Sequence, residues 1–212
     1  MIKRVIFDLD DTLIPWDNNY FKDFIPVMKE YGVIDSKEDI LKFIKAIDNY
    51  EKFNNIYDDK IFIEYINEML NKNISKDFYD KLNVFFQTCI PKEIDKNVLE
   101  TLEYLKDKYE LVVLTNFFEE LQVKRLENYG IKKYFIDIIG GNKYIKPHKG
   151  SYLMACGEHA PSECVMIGDN YINDVEGATQ NGLQAIYLNL KNKEVDKEIT
   201  SISNLIELKN IL

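Results

Sequence analysis

Val5-Ile6-Phe7-Asp8-Leu9-Asp10-Asp11-Thr12-Leu13 is the stretch on which the fold turns. Its first three residues are apolar and too few for a helix, which fits a short buried strand. The strand stops at a run of acids, and acids gathered at the carboxyl end of a buried strand sit where parallel sheets build their sites. Further strands follow the same pattern. Residues 111–114 end at Thr115-Asn116, residues 135–139 form a candidate strand, residues 164–167 end at Gly168-Asp169-Asn170, and residues 185–188 form the last clear strand. Helical spacing alternates with them over residues 97–108, up to Tyr129 with Gly130 as its stop, from near Lys149, and over residues 172–181 closed by Gly182. The alternation predicts an α/β protein, a Rossmann-like, doubly wound and mostly parallel sheet with helices on both faces.

Residues 18–89 break the alternation. Tyr20, Phe24, Val27 and Tyr31 share one helical face, with Pro26 inside and Gly32 as a stop. Ser36 and Asp39 have the spacing of a capping box ahead of Ile40, Phe43, Ile44 and Ile47. Phe62, Tyr65, Ile66 and Met69 make a third set, and Phe78, Leu82, Phe85 and Phe86 a fourth, with Ser75 as N-cap. The expected organisation is a core of residues 1–16 and 92–212, interrupted by a helical-bundle cap of residues 17–91. Fifteen of the 27 aromatic residues fall between Trp16 and Pro91, so most must fill the core of that insert. One or two of them near the hinge, from among Trp16, Tyr20 and Phe24, are expected to face a substrate.

Composition narrows the function. Hydrophobic residues make up 46% and charged residues 30%, the balance of a globular chain. A net charge of −9 without a basic stripe argues against nucleic acid polymers and against an anionic membrane as partners. Cys89, Cys156 and Cys164 form no Cys-x-x-Cys pair, and no stretch approaches the apolar length of a membrane span. Nor does the start resemble a signal peptide, so a cytoplasmic location is expected. Oligomeric state is not legible.

In a parallel sheet the polar strand ends converge. Asp8, Asp10, Asp169 and Asp174 would meet there, with Lys146 of the Lys146-Pro147 loop as the only nearby cation. Such carboxylates repel one another, and a hard divalent cation relieves that. Carboxylate and carbonyl oxygens suit Mg²⁺. Within the cluster a carboxylate can attack phosphorus and a neighbouring one can move protons. Thr115 and Asn116 offer a hydroxyl and an amide to phosphoryl oxygens, and Lys146 offsets charge. Asp11 is expected to shape the turn, and His148 and His159 to be surface or helix residues.

These motifs, in this order, resemble those of the haloacid dehalogenase superfamily of phosphatases. Asp8-Leu9-Asp10-Asp11-Thr12-Leu13 is similar to its first motif, Thr115-Asn116 to its second, Lys146-Pro147 to its third, and Gly168-Asp169 with Asp174 to its fourth. The insert resembles the cap that lies between the first and second motifs. By that resemblance Asp8 is nucleophile and metal ligand, and Asp10 is acid/base and ligates the metal through its carbonyl. Thr115 and Lys146 hold the phosphoryl group, Asp169 binds the metal, and Asp174 supports it through water. Members that cleave carbon–halogen or phosphonate bonds lack an acid at the Asp10 position, whereas mutases keep one. The resemblance implies a Mg²⁺-dependent phosphomonoesterase acting on a small phosphate ester. The Asp169–Asp174 spacing is similar to that in family nucleotidases and some sugar-acid phosphatases, so the resemblance implies a nucleoside monophosphate or sugar phosphate. A phosphosugar mutase is the alternative, and a non-enzymatic phospho-receiver a remote one. Only Arg4 and Arg125 are arginines and the insert has none, which disfavours a substrate with a second phosphate or a carboxylate.

Overall fold

A computed structural model describes residues 1–212. Arg4–Phe7 forms strand β1, and helices α1 (Phe21–Glu30), α2 (Lys37–Phe53), α3 (Asp59–Leu70) and α4 (Lys76–Phe86) follow it. The remainder alternates: α5 (Lys96–Leu105), β2 (Glu110–Leu114), α6 (Glu119–Asn128), β3 (Asp137–Ile139), α7 (Lys149–Cys156), β4 (Cys164–Gly168), α8 (Gly177–Gln180), β5 (Gln184–Leu188) and β6 (Thr200–Ile202). The six strands form one sheet in the order β3-β2-β1-β4-β5-β6, and every neighbouring pair is parallel.

Both faces of that sheet are buried, as a parallel sheet demands. Val5 and Phe7 of β1 join one apolar cluster with Leu102 of α5 and Leu126 of α6. Ile6 points the other way, into a cluster with Tyr152 and Ala155 of α7. The register aligns Phe7 with Val113 on one side and Ile167 on the other. One step further, Asp8 leaves β1 level with Leu114 and Gly168, and Thr115 and Asp169 follow those two residues directly at the ends of β2 and β4.

Three features of the sheet half depart from the sequence reading. Strand β6 is a polar three-residue edge with no alternation to reveal it, and a tight helical turn capped by Asn204 follows it at Leu205–Asn210. The helix expected over residues 172–181 begins as a π-helical turn at Tyr171–Glu176, and α8 is only its last turn. Such widened turns occur frequently at functional sites.

Helices α1–α4 build a cluster of their own around Phe43, Tyr50, Phe62, Phe78 and Leu82. At 10 to 17 residues these helices are marginal in isolation, so the shared apolar core holds them. The capping box of Ser36 and Asp39 is present. The phase of α1 differs from expectation, because a tight turn at Asn18–Tyr20, capped by Asp17, takes up the residues before it. Phe21, Phe24 and Met28 face inward, while Tyr20, Val27 and Tyr31 are half-buried. Met69 lies exposed, because the inward stripe of α3 is Phe62 and Ile66, and Ser75 occupies the N-cap of α4 without a side-chain bond.

The insert is seated on the sheet half. Tyr57 N–H donates to Gly141 O at 2.8 Å, and Ile145 N–H donates to Asn55 O at 2.8 Å. Phe118, Leu121 and Ile145 from the sheet half complete the insert's apolar cluster.

Candidate active site

Asp8, Lys146 and Asp174 form the centre of the site. Asp8 follows β1 and its N–H donates to Ile167 O at 2.9 Å, which fixes its backbone against β4. Lys146 reaches in from the loop between β3 and α7, where Asn116 Oδ1 accepts its N–H at 2.8 Å. Its ammonium donates to Asp8 Oδ1 and to Asp174 Oδ1, both at 2.7 Å. Asp174 sits on the π-helical turn, and its other oxygen accepts the N–H of Asn170 at 3.0 Å. Asp8 is 8%, Lys146 3% and Asp174 0% exposed, so all three charges are withdrawn from water and depend on each other.

Gly168 makes this arrangement possible. A Cβ there would run into the Asp174 carboxylate, which is pinned by Lys146 and the Asn170 N–H and cannot swing aside. Gly168→Ala is therefore expected to cost about 1–3 kcal/mol through overpacking. A melting curve checks this, and a wild-type melting temperature would contradict it.

Burial pushes the Asp8 carboxyl well above its usual range, with Lys146 pulling the other way and Asp174 adding to the rise. Burial likewise raises Asp169 to about 6, with Asp174 and Asp11 as further causes. Burial works against the charged form of Lys146, but Asp174 and Asp8 outweigh it and hold its pKa above the ordinary lysine value. The cluster is thus short of positive charge. Asp8, Asp169 and Asp174 each present one carboxylate oxygen, all within 4.8 Å of one another. An all-oxygen set of this kind suits a hard divalent cation.

The remaining expected residues assemble nearby. Thr115 is buried, and its hydroxyl donates to Asn116 O at 3.0 Å while accepting from Gln122 Nε2 at 3.0 Å. Asp11 adopts φ of 57° and accepts the Trp16 N–H at 2.9 Å, so it shapes the loop. Asn170 caps the turn that carries Asp174. His148 caps α7, and His159 pairs with Glu110 away from the site.

Lys146 is not the only cation present, contrary to the sequence expectation. Arg125 of α6 places Nη1 2.7 Å from Asp10 Oδ1, and Gln122 Nε2 donates to Asp10 Oδ2 at 3.2 Å. Glu51 of α2 was also not anticipated. It accepts from Asn116 Nδ2 at 2.7 Å and from the Tyr57 hydroxyl at 2.8 Å, and burial raises its pKa in spite of both bonds. These residues carried a signal. Gln122 and Arg125 occupy inward positions of α6 beside Leu121 and Leu126, and Glu51 continues the stripe of Phe43, Ile47 and Tyr50.

A pocket of about 350 Å³ lies between the carboxylates and the insert. Trp16, Phe21, Phe86 and Phe117 give it aromatic walls, and Asp48 and Glu51 add acid from α2. Phe21 takes the place expected for Tyr20 and Phe24, because of the shifted phase of α1. Lys146 and Arg125 are the only cationic side chains in the lining.

A family model for haloacid dehalogenase-like hydrolases matches residues 2–182. The chain belongs to that family. It is 28% identical to glyceraldehyde 3-phosphate phosphatase of Methanothermobacter thermautotrophicus, over 100% of both chains. It is also 28% identical to pyrophosphatase PpaX of Oceanobacillus iheyensis, over 85% of this chain and 80% of the relative. The HAD-hydrolase YfnB of Bacillus subtilis, solved bound to magnesium, superposes with a TM-score of 0.74 at 18% identity, covering 100% of this chain and 98% of the other. No helix is long and apolar enough to cross a membrane.

Proposed function

We propose that the chain is a Mg²⁺-dependent phosphomonoester hydrolase that acts on a small phosphometabolite, a sugar phosphate or a nucleoside monophosphate, through an aspartyl-phosphate. The observation that carries this reading is Lys146 bridging Asp8 and Asp174, beside Asp169, on the floor of a roofed pocket. Residues 1–16 and 92–212 are the catalytic core in this reading, and residues 17–91 the cap.

Asp8 and Asp169, with the carbonyl of Asp10, would hold the metal and Asp174 would support it through water; when bound, the metal supplies charge neutralisation to the phosphoryl group and the carboxylates. Lys146 fixes Asp8 Oδ1, and Oδ2 meets only the Thr12 hydroxyl at 3.4 Å. Oδ2 attacks phosphorus, the ester P–O bond breaks, and Asp10 gives its proton to the leaving oxygen. Asp10 then takes a proton from water, whose oxygen attacks the aspartyl-phosphate and frees Asp8 and inorganic phosphate. Thr115, Asn116 and Lys146 bind the phosphoryl oxygens, and most of the rate comes from such positioning.

The lining bears on the leaving group. Both cations of the pocket are engaged, Lys146 with Asp8 and Arg125 with Asp10, and the roof contributes acids. A second phosphate or a carboxylate would therefore face like charge, which costs several kcal/mol. This favours a neutral, hydroxyl-bearing leaving group such as a sugar or nucleoside, and it weighs against a mutase, whose substrate carries a second phosphate in the catalytic cycle. The match to glyceraldehyde 3-phosphate phosphatase supports the same direction, while the match to PpaX points the other way. Phosphate release from ribose 5-phosphate and nucleoside 5′-monophosphates should exceed that from pyrophosphate and 2-phosphoglycolate by about tenfold or more in kcat/KM. Preference for pyrophosphate or 2-phosphoglycolate would overturn the leaving-group assignment.

A further inference from the structure

Asp10 does not stand free in the pocket. Its Oδ1 is buried and has no aligned hydrogen bond, yet it lies 2.7 Å from Arg125 Nη1. Its Oδ2 receives Gln122 Nε2 at 3.2 Å. Both partners are themselves immobilised. Arg125 is 2% and Gln122 1% exposed. Arg125 Nε and Nη2 donate to Cys89 O at 3.1 and 3.0 Å, and Nη1 donates to Gln122 Oε1 at 2.9 Å. That last bond fixes which end of the Gln122 amide is oxygen, so Nε2 must face Asp10, Thr115 Oγ1 and Asn116 O. Cys89 lies on the crossover by which the chain returns from α4 to α5, and Trp16, on the outgoing crossover, lays its ring 5.4 Å from the guanidinium carbon.

We infer that Arg125 and Gln122 are positioning residues for Asp10, holding its carboxylate in line with the leaving oxygen and tying it to the crossovers between the insert and the sheet. The inference rests on the reading of Asp10 as general acid/base. A buried guanidinium whose other donors grip a backbone carbonyl is a rigid fork, and rigidity is what a proton donor requires. Misplacing a catalytic group by about 1 Å can cost about 100-fold. A lysine at position 125 would keep the charge but could not grip Cys89 O, Gln122 and Asp10 together, because an ammonium is a point charge on a flexible stem.

The test compares leaving groups. With Mg²⁺ present, kcat/KM is measured for 4-nitrophenyl phosphate, whose leaving group departs without a proton, and for phenyl phosphate, whose more basic leaving group needs one. The ratio of the two is independent of the fraction of enzyme folded. Asp10→Asn should raise the ratio most, and Arg125→Lys and Gln122→Leu should each raise it about tenfold or more. An unchanged ratio in both of the latter, with the ratio raised in Asp10→Asn, would overturn the positioning role alone. An unchanged ratio in Asp10→Asn would overturn the acid role itself, and with it the inference.

Discussion

Lys146→Met is expected to destabilise the metal-free protein by about 3–5 kcal/mol, because it leaves two buried carboxylates without their shared cation. Asp8 and Asp174 each lie 2.7 Å from the ammonium, and Asp174 has no access to water at all. Methionine fills much of the same volume, so the loss is one of charge and hydrogen bonds rather than of packing. At a chain length of 212 residues this corresponds to a fall in melting temperature of about 6–20 °C in EDTA. Mg²⁺ should restore part of the loss, since a cation bound to the folded state stabilises it and supplies the missing countercharge. Phosphatase activity should fall by about 100-fold or more with Mg²⁺ present, because in the proposed mechanism the amine also binds the transferred phosphoryl group. An unchanged melting temperature in EDTA would show that Lys146 is not the keystone of the cluster.

Asp8→Asn is expected to do the opposite to stability and worse to activity. The amide keeps an oxygen for the Lys146 ammonium while removing one of the crowded negative charges, so the metal-free protein should melt at or above the wild-type temperature. Turnover should nevertheless fall by about 10⁴-fold or more, as when a covalent nucleophile is deleted. An amide does not form the acyl phosphate, and no other side chain in the pocket occupies its place at the end of β1. The two variants therefore separate the electrostatic and covalent contributions of one ion pair. Activity that survived in Asp8→Asn would remove the covalent mechanism.

The sheet and the four motif positions were legible because each is local. A three-residue apolar run ending in acid, or a four-residue run ending in Thr115-Asn116, announces both a buried strand and its functional end. Parallel register then does the rest, bringing residues far apart in sequence to one level. What the sequence concealed is tertiary. Arg125, Gln122 and Glu51 lie on ordinary amphipathic helices, and their proximity to Asp10 and Asn116 depends on how α6 and α2 are seated. Their polar side chains at inward positions were the available clue, and Arg125 is one of only two arginines in the chain. The phase of α1 was lost for a different reason. The Asp17-capped turn consumes residues before the helix starts, which moves Phe21 rather than Tyr20 to the pocket wall. Strand β6 escaped because an edge of three residues carries no periodicity.

The covalent role of Asp8 is the centre of this account. It is tested most directly by mixing the protein with Mg²⁺ and 4-nitrophenyl phosphate, quenching in acid within the first turnovers, and mapping phosphate onto peptides by mass spectrometry. Phosphate should appear on the peptide that carries Asp8, and it should be absent from the Asp8→Asn protein. Release of inorganic phosphate at the full rate with no phosphorylated Asp8 peptide at any quench time would contradict it.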